Sequence, residues 1–323
     1  LDLRSNPGGL LGEAIQISNF FLPKGKVITT TKAKVKKWSN TYLSRKEPLD
    51  LDIPIVVLVN GRSASASEIV TGALQDYDRA VVMGKRSFGK GLVQRYRKLS
   101  YGTQLKVTIS KYYTPSGRCI QELDYANRDL LTGKVPKFSD RGRNEFTTQN
   151  GRIVFDGGGI IPDIITEKEA LTEETKTLLG TAVLFNFVVD YKRKNVAISS
   201  ADAFRFSDED FKQFLNFVER DRSFLTTQEA TFKKAYETLS SAQNKKINKE
   251  YSNLLKTLKT DKINSLFVDK AYIKDEIKQL ILDQYYYQEG VYQNKITSDQ
   301  TIQEALNLLK NNKKYSRVLA LKK

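Results

Sequence analysis

The 323-residue sequence predicts an α/β first half followed by a mostly α-helical second half. Two observations carry this. Up to about residue 165, short apolar runs of strand length alternate with stretches of helical spacing, and glycine-rich turns separate them. Beyond about residue 166 glycine nearly vanishes, leaving Gly180 and Gly290, and Lys/Glu/Leu/Tyr segments with a helical period take over. The predicted domains are therefore 1–165 and 166–323, each long enough to bury a core.

Taken in order, Leu1-Asp2-Leu3 reads as the end of a strand and Arg4 to Gly9 as a loop of turn residues. Leu10 to Leu22 has helical spacing through Leu11, Ala14, Ile15, Ser18 and Leu22. Val27 to Tyr42 reads as extended, with Lys32, Lys34, Lys36 and Lys37 clustered near Trp38. Ile55 to Val59 is a continuous apolar run after Pro54, the pattern of a strand buried on both faces. Ser67 to Asp76 is helical, and Ala80 to Met83 is a second buried strand. Leu92 to Leu99 and Thr103 to Tyr113 flank Tyr101-Gly102 as a hairpin, with Leu105, Val107 and Ile109 on one face.

Arg118 to Gly151 reads as a polar surface excursion, and Asp156 to Asp163 as a glycine turn into a short exit strand. Helices are predicted at Ala170 to Lys192, Asp208 to Arg220, Thr227 to Ser240, Ala242 to Lys259, Asp269 to Tyr287 and Ser298 to Lys310. No apolar segment is long enough for a membrane span. The chain starts at Leu1, inside a strand and not at a Met, so the natural N-terminus and any targeting segment are expected upstream.

Composition removes whole classes of chemistry. With no histidine, Ser-His-Asp and Cys-His nucleophile pairs and histidine-based zinc sites are excluded. One cysteine, Cys119, excludes intrachain disulfides and multi-cysteine metal sites, and reads as a small packing residue. No carboxylate cluster suggests a metal, so neither a metal nor a cofactor is expected. The net charge is +16, of which +11 falls in residues 1–165. That balance permits contact with nucleic acid, anionic lipid or acidic protein. No nucleic-acid motif accompanies it, so a soluble basic protein is the plainer reading and no nucleic-acid partner is expected.

Three segments can carry chemistry. Asn60-Gly61-Arg62-Ser63-Ala64-Ser65-Ala66-Ser67-Glu68-Ile69 runs from a buried strand through small residues into a helix. A serine there projects at the positive end of the helix, where the next N–H can hold a developing oxyanion. Ser65-x-x-Glu68 is equally a capping box, which needs no catalysis. The second segment is Ser87-Phe88-Gly89-Lys90-Gly91-Leu92-Val93-Gln94. A lysine between glycines is either a surface charge or a group brought close to something. Without histidine, a Ser–Lys pair is an available route to an activated serine.

That route has a physical requirement. A solvated lysine, pKa ~10.4, is roughly 0.1% neutral near pH 7.4, and lowering it to about 7–8 takes burial or a like charge. Lys90 is therefore expected mostly buried, with no carboxylate on its ammonium. Gln94 could orient it without adding charge, provided a helical turn follows Lys90, since i and i+4 lie ~6 Å apart on a helix and ~13 Å apart on a strand. The third segment is Arg4-Ser5-Asn6-Pro7-Gly8-Gly9, whose glycines either aim N–H groups at an oxyanion or make a simple tight turn. Asp76 reads as a solvated turn residue or as a partner of an arginine. The Tyr285-Tyr286-Tyr287 cluster reads as helix core and rim.

Together, Leu1 to Gly9, Ser63 to Ile69, Phe88 to Gln94, Tyr113 to Arg118 and Gly157 to Asp163 resemble the carboxy-terminal processing proteases, or tail-specific proteases, over roughly residues 1–165. The resemblance implies a crotonase-like core and a serine endopeptidase that cuts proteins near their C-termini outside the cytoplasm, in the periplasm or cell envelope. It implies Ser65 as nucleophile, Lys90 as general base and Gln94 as the residue that positions Lys90. The oxyanion hole would be the N–H of Ala66 with that of Gly8 or Gly9. The separation of 25 between serine and lysine fits the middle serine of its run. The peptide-binding PDZ domain of the family lies upstream of the Asp-Leu-Arg segment and has no counterpart here. The helical half is expected to serve packing, homo-oligomerisation or binding of an envelope adaptor. An inactive protease-fold scaffold is the alternative reading.

Overall fold

The computed structural model describes residues 1–138, 143–166, 171–221, 223–239 and 245–320. The chain divides into two compact units, Leu1–Glu167 with Gln300–Lys323, and Lys168–Asp299. The first break falls after Glu167. The last two helices depart from the expectation, because they join the first unit and leave the helical one.

The first unit runs α1 (Leu11–Asn19), β1 (Val27–Lys32), β2 (Asn40–Leu43), β3 (Val56–Val59), α2 (Ala66–Asp76), β4 (Val81–Gly84), β5 (Leu92–Lys98), β6 (Gln104–Tyr113), β7 (Glu145–Thr147), β8 (Ile153–Phe155) and β9 (Ile164–Ile165). The helical unit holds α3 (Glu173–Leu179), α4 (Val183–Lys194), α5 (Asp208–Arg220), α6 (Thr227–Leu239), α7 (Lys245–Val268) and α8 (Lys270–Ser298). Then α9 (Gln300–Lys310) and α10 (Asn312–Leu319) return to the first unit.

The central sheet is parallel, in the order β3-β4-β9, and Leu1 to Leu3 pairs along the free side of β3 through Leu3 N–H to Leu58 O and Leu58 N–H to Leu1 O. Side chains alternate across it. Ile55, Val57, Val59 and Val82 pack with α1 and α2. Val56, Leu58, Val81 and Met83 pack with Ala305, Leu308 and Tyr315 of α9 and α10. Both faces are covered, which is why β3 reads as an unbroken apolar run. The Tyr315 hydroxyl accepts from Ile55 N–H and donates to Ile55 O, both at 2.9 Å, closing the entrance to β3.

A second, antiparallel sheet has the order β2-β1-β6-β5. The β5–β6 hairpin forms as expected, with Tyr101 at φ +58° in its tip. Leu105 and Val107, however, lie on an exposed face. Arg118 to Gly151 is not wholly a surface excursion. Arg118, Ile120 and Gln121 are buried, and Glu145–Thr147 pairs with β8.

In the helical unit, Gly180 ends α3, dividing the single helix predicted over 170–192. The unit packs around Phe187, Phe206, Phe211, Phe214 and Phe224 with Ile273, Ile277 and Ile281 of α8. α8 runs past the predicted end at Tyr287, where φ +55° breaks its path. Tyr285 and Tyr286 pack against this core, while Tyr287 is exposed.

Candidate active site

Ser65 sits at the junction of β3 and α2, immediately before the first helical residue, with φ +57° and ψ −115°. A non-glycine residue with positive φ is held there by its surroundings. Those surroundings are the Arg4 to Gly9 loop and the loop from Ser87 to Lys90. Ser63 Oγ donates to Leu3 O at 2.7 Å, Ala64 N–H to Asn6 O at 3.0 Å and Ser67 Oγ to Asn6 O at 3.1 Å. Asn60 Oδ1 accepts the Ser5 N–H at 2.8 Å.

Gly8 is the point of closest approach. Its φ is +93°, and a Cβ there would lie 2.6 Å from Ala64 O, 2.7 Å from Ala66 N and 3.0 Å from Ser65 Cβ. Only glycine fits against this serine. The Ala66 N–H, first in the helix, has no intrahelical acceptor and lies at the positive end of α2. The Gly8 N–H donates to Asn6 Oδ1 at 2.9 Å, so that candidate oxyanion donor is occupied. Gly9 is exposed, and a Cβ there would meet nothing within 4 Å.

Glu68, in the first turn of α2, ties the second loop to the first. It is fully buried. Its Oε2 accepts the Ser65 N–H at 2.8 Å and the Lys90 N–H at 2.9 Å, which puts the two backbone nitrogens within ~6 Å of one another. Its Oε1 accepts Ser87 Oγ at 2.6 Å and Gly89 N–H at 2.7 Å. Ser87 Oγ in turn accepts the Ile160 N–H at 2.7 Å, and Phe88 N–H donates to Ser63 O at 3.0 Å. Burial pushes the Glu68 carboxyl above its ordinary value, against the pull of its donors.

Lys90 is partly buried, and its four-carbon stem starts from the backbone position that Glu68 fixes beside Ser65. Among the described residues, no carboxylate pairs with its ammonium; Glu68 takes its backbone N–H instead. Gln94 is not brought to this cluster. β5 begins at Leu92, so the expected helical turn after Lys90 is absent. Gln94 is exposed on the strand, paired with Thr108 beside a register shift at Val93/Gln94. Strand pairing with β6 wins over a local turn here because it satisfies the backbone from Leu92 to Lys98.

Residues 1–126 match the model of peptidase family S41, and residues 174–309 match "Probable PDZ-protease, C-terminal helical domain". Among similar proteins, a carboxy-terminal-processing protease of Bartonella bacilliformis is 49% identical over 137 residues, covering 42% of this chain and 31% of the relative. A "Probable CtpA-like serine protease" of Staphylococcus aureus is 48% identical over 126 residues, covering 37% and 24%. The chain thus spans about a third or less of the length of these relatives. A solved structure, a Photosystem II D1 C-terminal processing protease, aligns over 53% of this chain and 35% of its own with a TM-score of 0.38 and 28% identity.

Within residues 1–126, two residues hold more contacts than their local sequence pattern defines. Glu68 was visible only as the fourth position of a capping box; its bonds to residues 87–90 are non-local. Asp76, at the other end of α2, is buried and not solvated. Its Oδ1 accepts from Arg118 Nη2 and its Oδ2 from Ser116 N–H, at 2.7 and 2.9 Å. Tyr112, also buried, donates its hydroxyl to Ser65 O at 3.2 Å, and burial keeps that phenol well above its ordinary pKa and so protonated. Burial also pushes the Cys119 thiol up, opposite to what a nucleophilic thiolate needs. Among the described residues no group of three or more Cys, Asp or Glu could hold a metal, and no helix is long and apolar enough to cross a membrane. A cleft of about 420 Å³, lined by Gly61, Arg86, Phe88, Glu122 and Lys137, borders the loop that carries Lys90.

Proposed function

We propose that this chain carries the catalytic part of a serine endopeptidase that cleaves protein substrates near their C-termini in an extracytoplasmic compartment. In this reading, Ser65 Oγ attacks the scissile carbonyl and the amine of Lys90, as general base, takes its proton. The Ala66 N–H and a Gly9 or reoriented Gly8 N–H hold the oxyanion. The same amine then returns the proton to the leaving nitrogen, and water, activated by Lys90, releases the acyl group. The observation that carries the reading is the single Glu68 oxygen that binds both the Ser65 and the Lys90 backbone. The crotonase-like core is part of the same proposal.

The test is turnover of a protein with an unstructured C-terminal tail, with mass spectrometry of the protease after a serine-directed phosphonate. The expected result is cleavage, an adduct on Ser65, and loss of both activity and labelling in Ser65→Ala, with activity lost in Lys90→Ala. Unchanged turnover in either variant overturns the assignment. A second reading, an inactive protease-fold scaffold, is favoured by the position of Gln94 away from Lys90. It predicts stable capture of a partner, no cleavage and no adduct.

A further inference from the structure

The β1–β2 connection and the β5–β6 hairpin leave the antiparallel sheet in the same direction, and both are rich in cations. Lys32 of β1 pairs with Lys111 of β6, so the β1–β2 connection leaves the sheet on the side toward the β5–β6 tip. That connection carries Lys34, Lys36 and Lys37, all exposed, and Trp38, the only tryptophan of the chain. The hairpin adds Arg95, Arg97, Lys98 and Lys106, also exposed. Residues 27–43 and 92–113 contain no aspartate or glutamate. Among the described residues, none of these cations is paired with a carboxylate brought from elsewhere.

The hairpin is apolar where a solvated surface would be polar. Leu99 and Tyr101 stand at the hairpin tip, Tyr101 fully exposed. Cross-strand register puts Arg95 with Val107 and Arg97 with Leu105 on one face, and Tyr96 with Lys106 on the other. Lys106 lies over the Tyr96 ring, 5.4 Å from its centroid. Two solvated faces give this ribbon no core of its own, and its apolar residues are interleaved with unpaired positive charge.

We propose that this end of the sheet docks on an anionic lipid bilayer, with Leu99 and Tyr101 entering the headgroup layer and the lysines and arginines facing lipid phosphates. The composition is that of interfacial segments: aromatic and aliphatic tips flanked by cations that a negative surface attracts. A second copy meeting this end through the same end does not fit, because it would bring cations against cations. A nucleic acid would use the charge and the tyrosine rings but leave Leu99, Leu105 and Val107 without a partner. The inference is independent of the proposed peptidase chemistry.

Vesicle co-sedimentation of the full chain tests it, with phosphatidylcholine alone against a phosphatidylcholine–phosphatidylglycerol mixture. Trp38 emission serves as an internal reporter. The expected result is binding to the anionic vesicles, at least ~10-fold weaker on neutral ones and in high salt, with a blue shift of Trp38. The pair Leu99→Ser/Tyr101→Ser, which keeps every charge, should lower binding ~10-fold, and Arg97→Glu/Lys98→Glu by more. Both pairs are on the exposed ribbon, and circular dichroism checks the fold. Equal binding to neutral vesicles, or no binding to anionic ones, overturns the proposal. So does binding indifferent to Leu99→Ser/Tyr101→Ser, or an equal affinity for soluble polyglutamate or DNA.

Discussion

Two carboxylates on one helix, Glu68 in its first turn and Asp76 in its last, are both buried and are satisfied in opposite ways. Glu68 faces the positive end of α2 and is held by three backbone N–H groups and the Ser87 hydroxyl, with no cation among those donors. Asp76 faces the negative end, where a carboxylate is disfavoured, and is held by the Arg118 guanidinium with one N–H. The difference has a use. A carboxylate satisfied by neutral donors can sit beside Lys90 and fix its backbone without pairing with its amine. The far end needs no such restraint, and there an ion pair locks the turn from Thr114 to Arg118 onto the helix.

Breaking the ion pair has the largest expected effect. Arg118→Met leaves the Asp76 carboxylate buried without its cation, and the expected loss is ~3–5 kcal/mol in a urea melt. The double variant Arg118→Met/Asp76→Leu removes both charges and should recover most of that loss, because the desolvation penalty goes with them. A single variant within ~1 kcal/mol of the parent would show that Ser116 N–H and solvent suffice for Asp76.

Glu68→Gln is expected to cost less in stability, ~1–3 kcal/mol, since the amide keeps one acceptor oxygen but turns an NH₂ toward N–H donors. Its effect on peptide turnover should be disproportionate, ~10–100-fold, because Ser65 and Lys90 lose their common anchor. A variant that loses stability but not turnover would reduce Glu68 to a helix cap.

The same substitution also gives Glu68 a signature in pH. The folded-state pKa of Glu68 is raised above its ordinary 4.5, with burial as the largest cause. The folded protein therefore holds this proton more tightly than the unfolded chain. The stability that Glu68 contributes is complete below about pH 4.5 and is lost as pH rises through the folded value. Denaturant midpoints should show the parent-minus-Glu68→Gln difference shrinking as pH is raised from about 4 to 7. A difference that grows with pH would mean that the four donors outweigh burial.

How much of this was legible follows from which contacts are local. The strand–serine–helix junction, the β5–β6 hairpin and helix α5, bounded by Ser207 and Arg220, are written in nearby residues, through turn chemistry, alternation and a capping box. Ile55 to Val59 announced a strand covered twice, but not that the second cover comes from Ala305, Leu308 and Tyr315. Asp76 reads as solvated or as an arginine's partner, and the sequence does not say which arginine because Arg118 is 42 positions away. Glu68 looked like a cap because its other partners are on a loop 19 to 22 positions on. The helical turn required after Lys90 was an inference from spacing, and the β6 strand that denies it is a tertiary partner.

Gln94→Ala carries the smallest expected effect and sharpens the comparison most. Gln94 is an exposed strand residue, so its loss should change stability by less than ~0.5 kcal/mol. If Glu68 alone sets Lys90 beside Ser65, turnover should also be unchanged, which steady-state cleavage measures directly. A large loss of kcat at unchanged stability would mean that Gln94 reaches Lys90 during catalysis. On a strand the two lie ~13 Å apart, so the first residues of β5 would have to leave β6 and wind into a turn. The register shift at Val93/Gln94 is where the ladder is already interrupted and where that rewinding would begin.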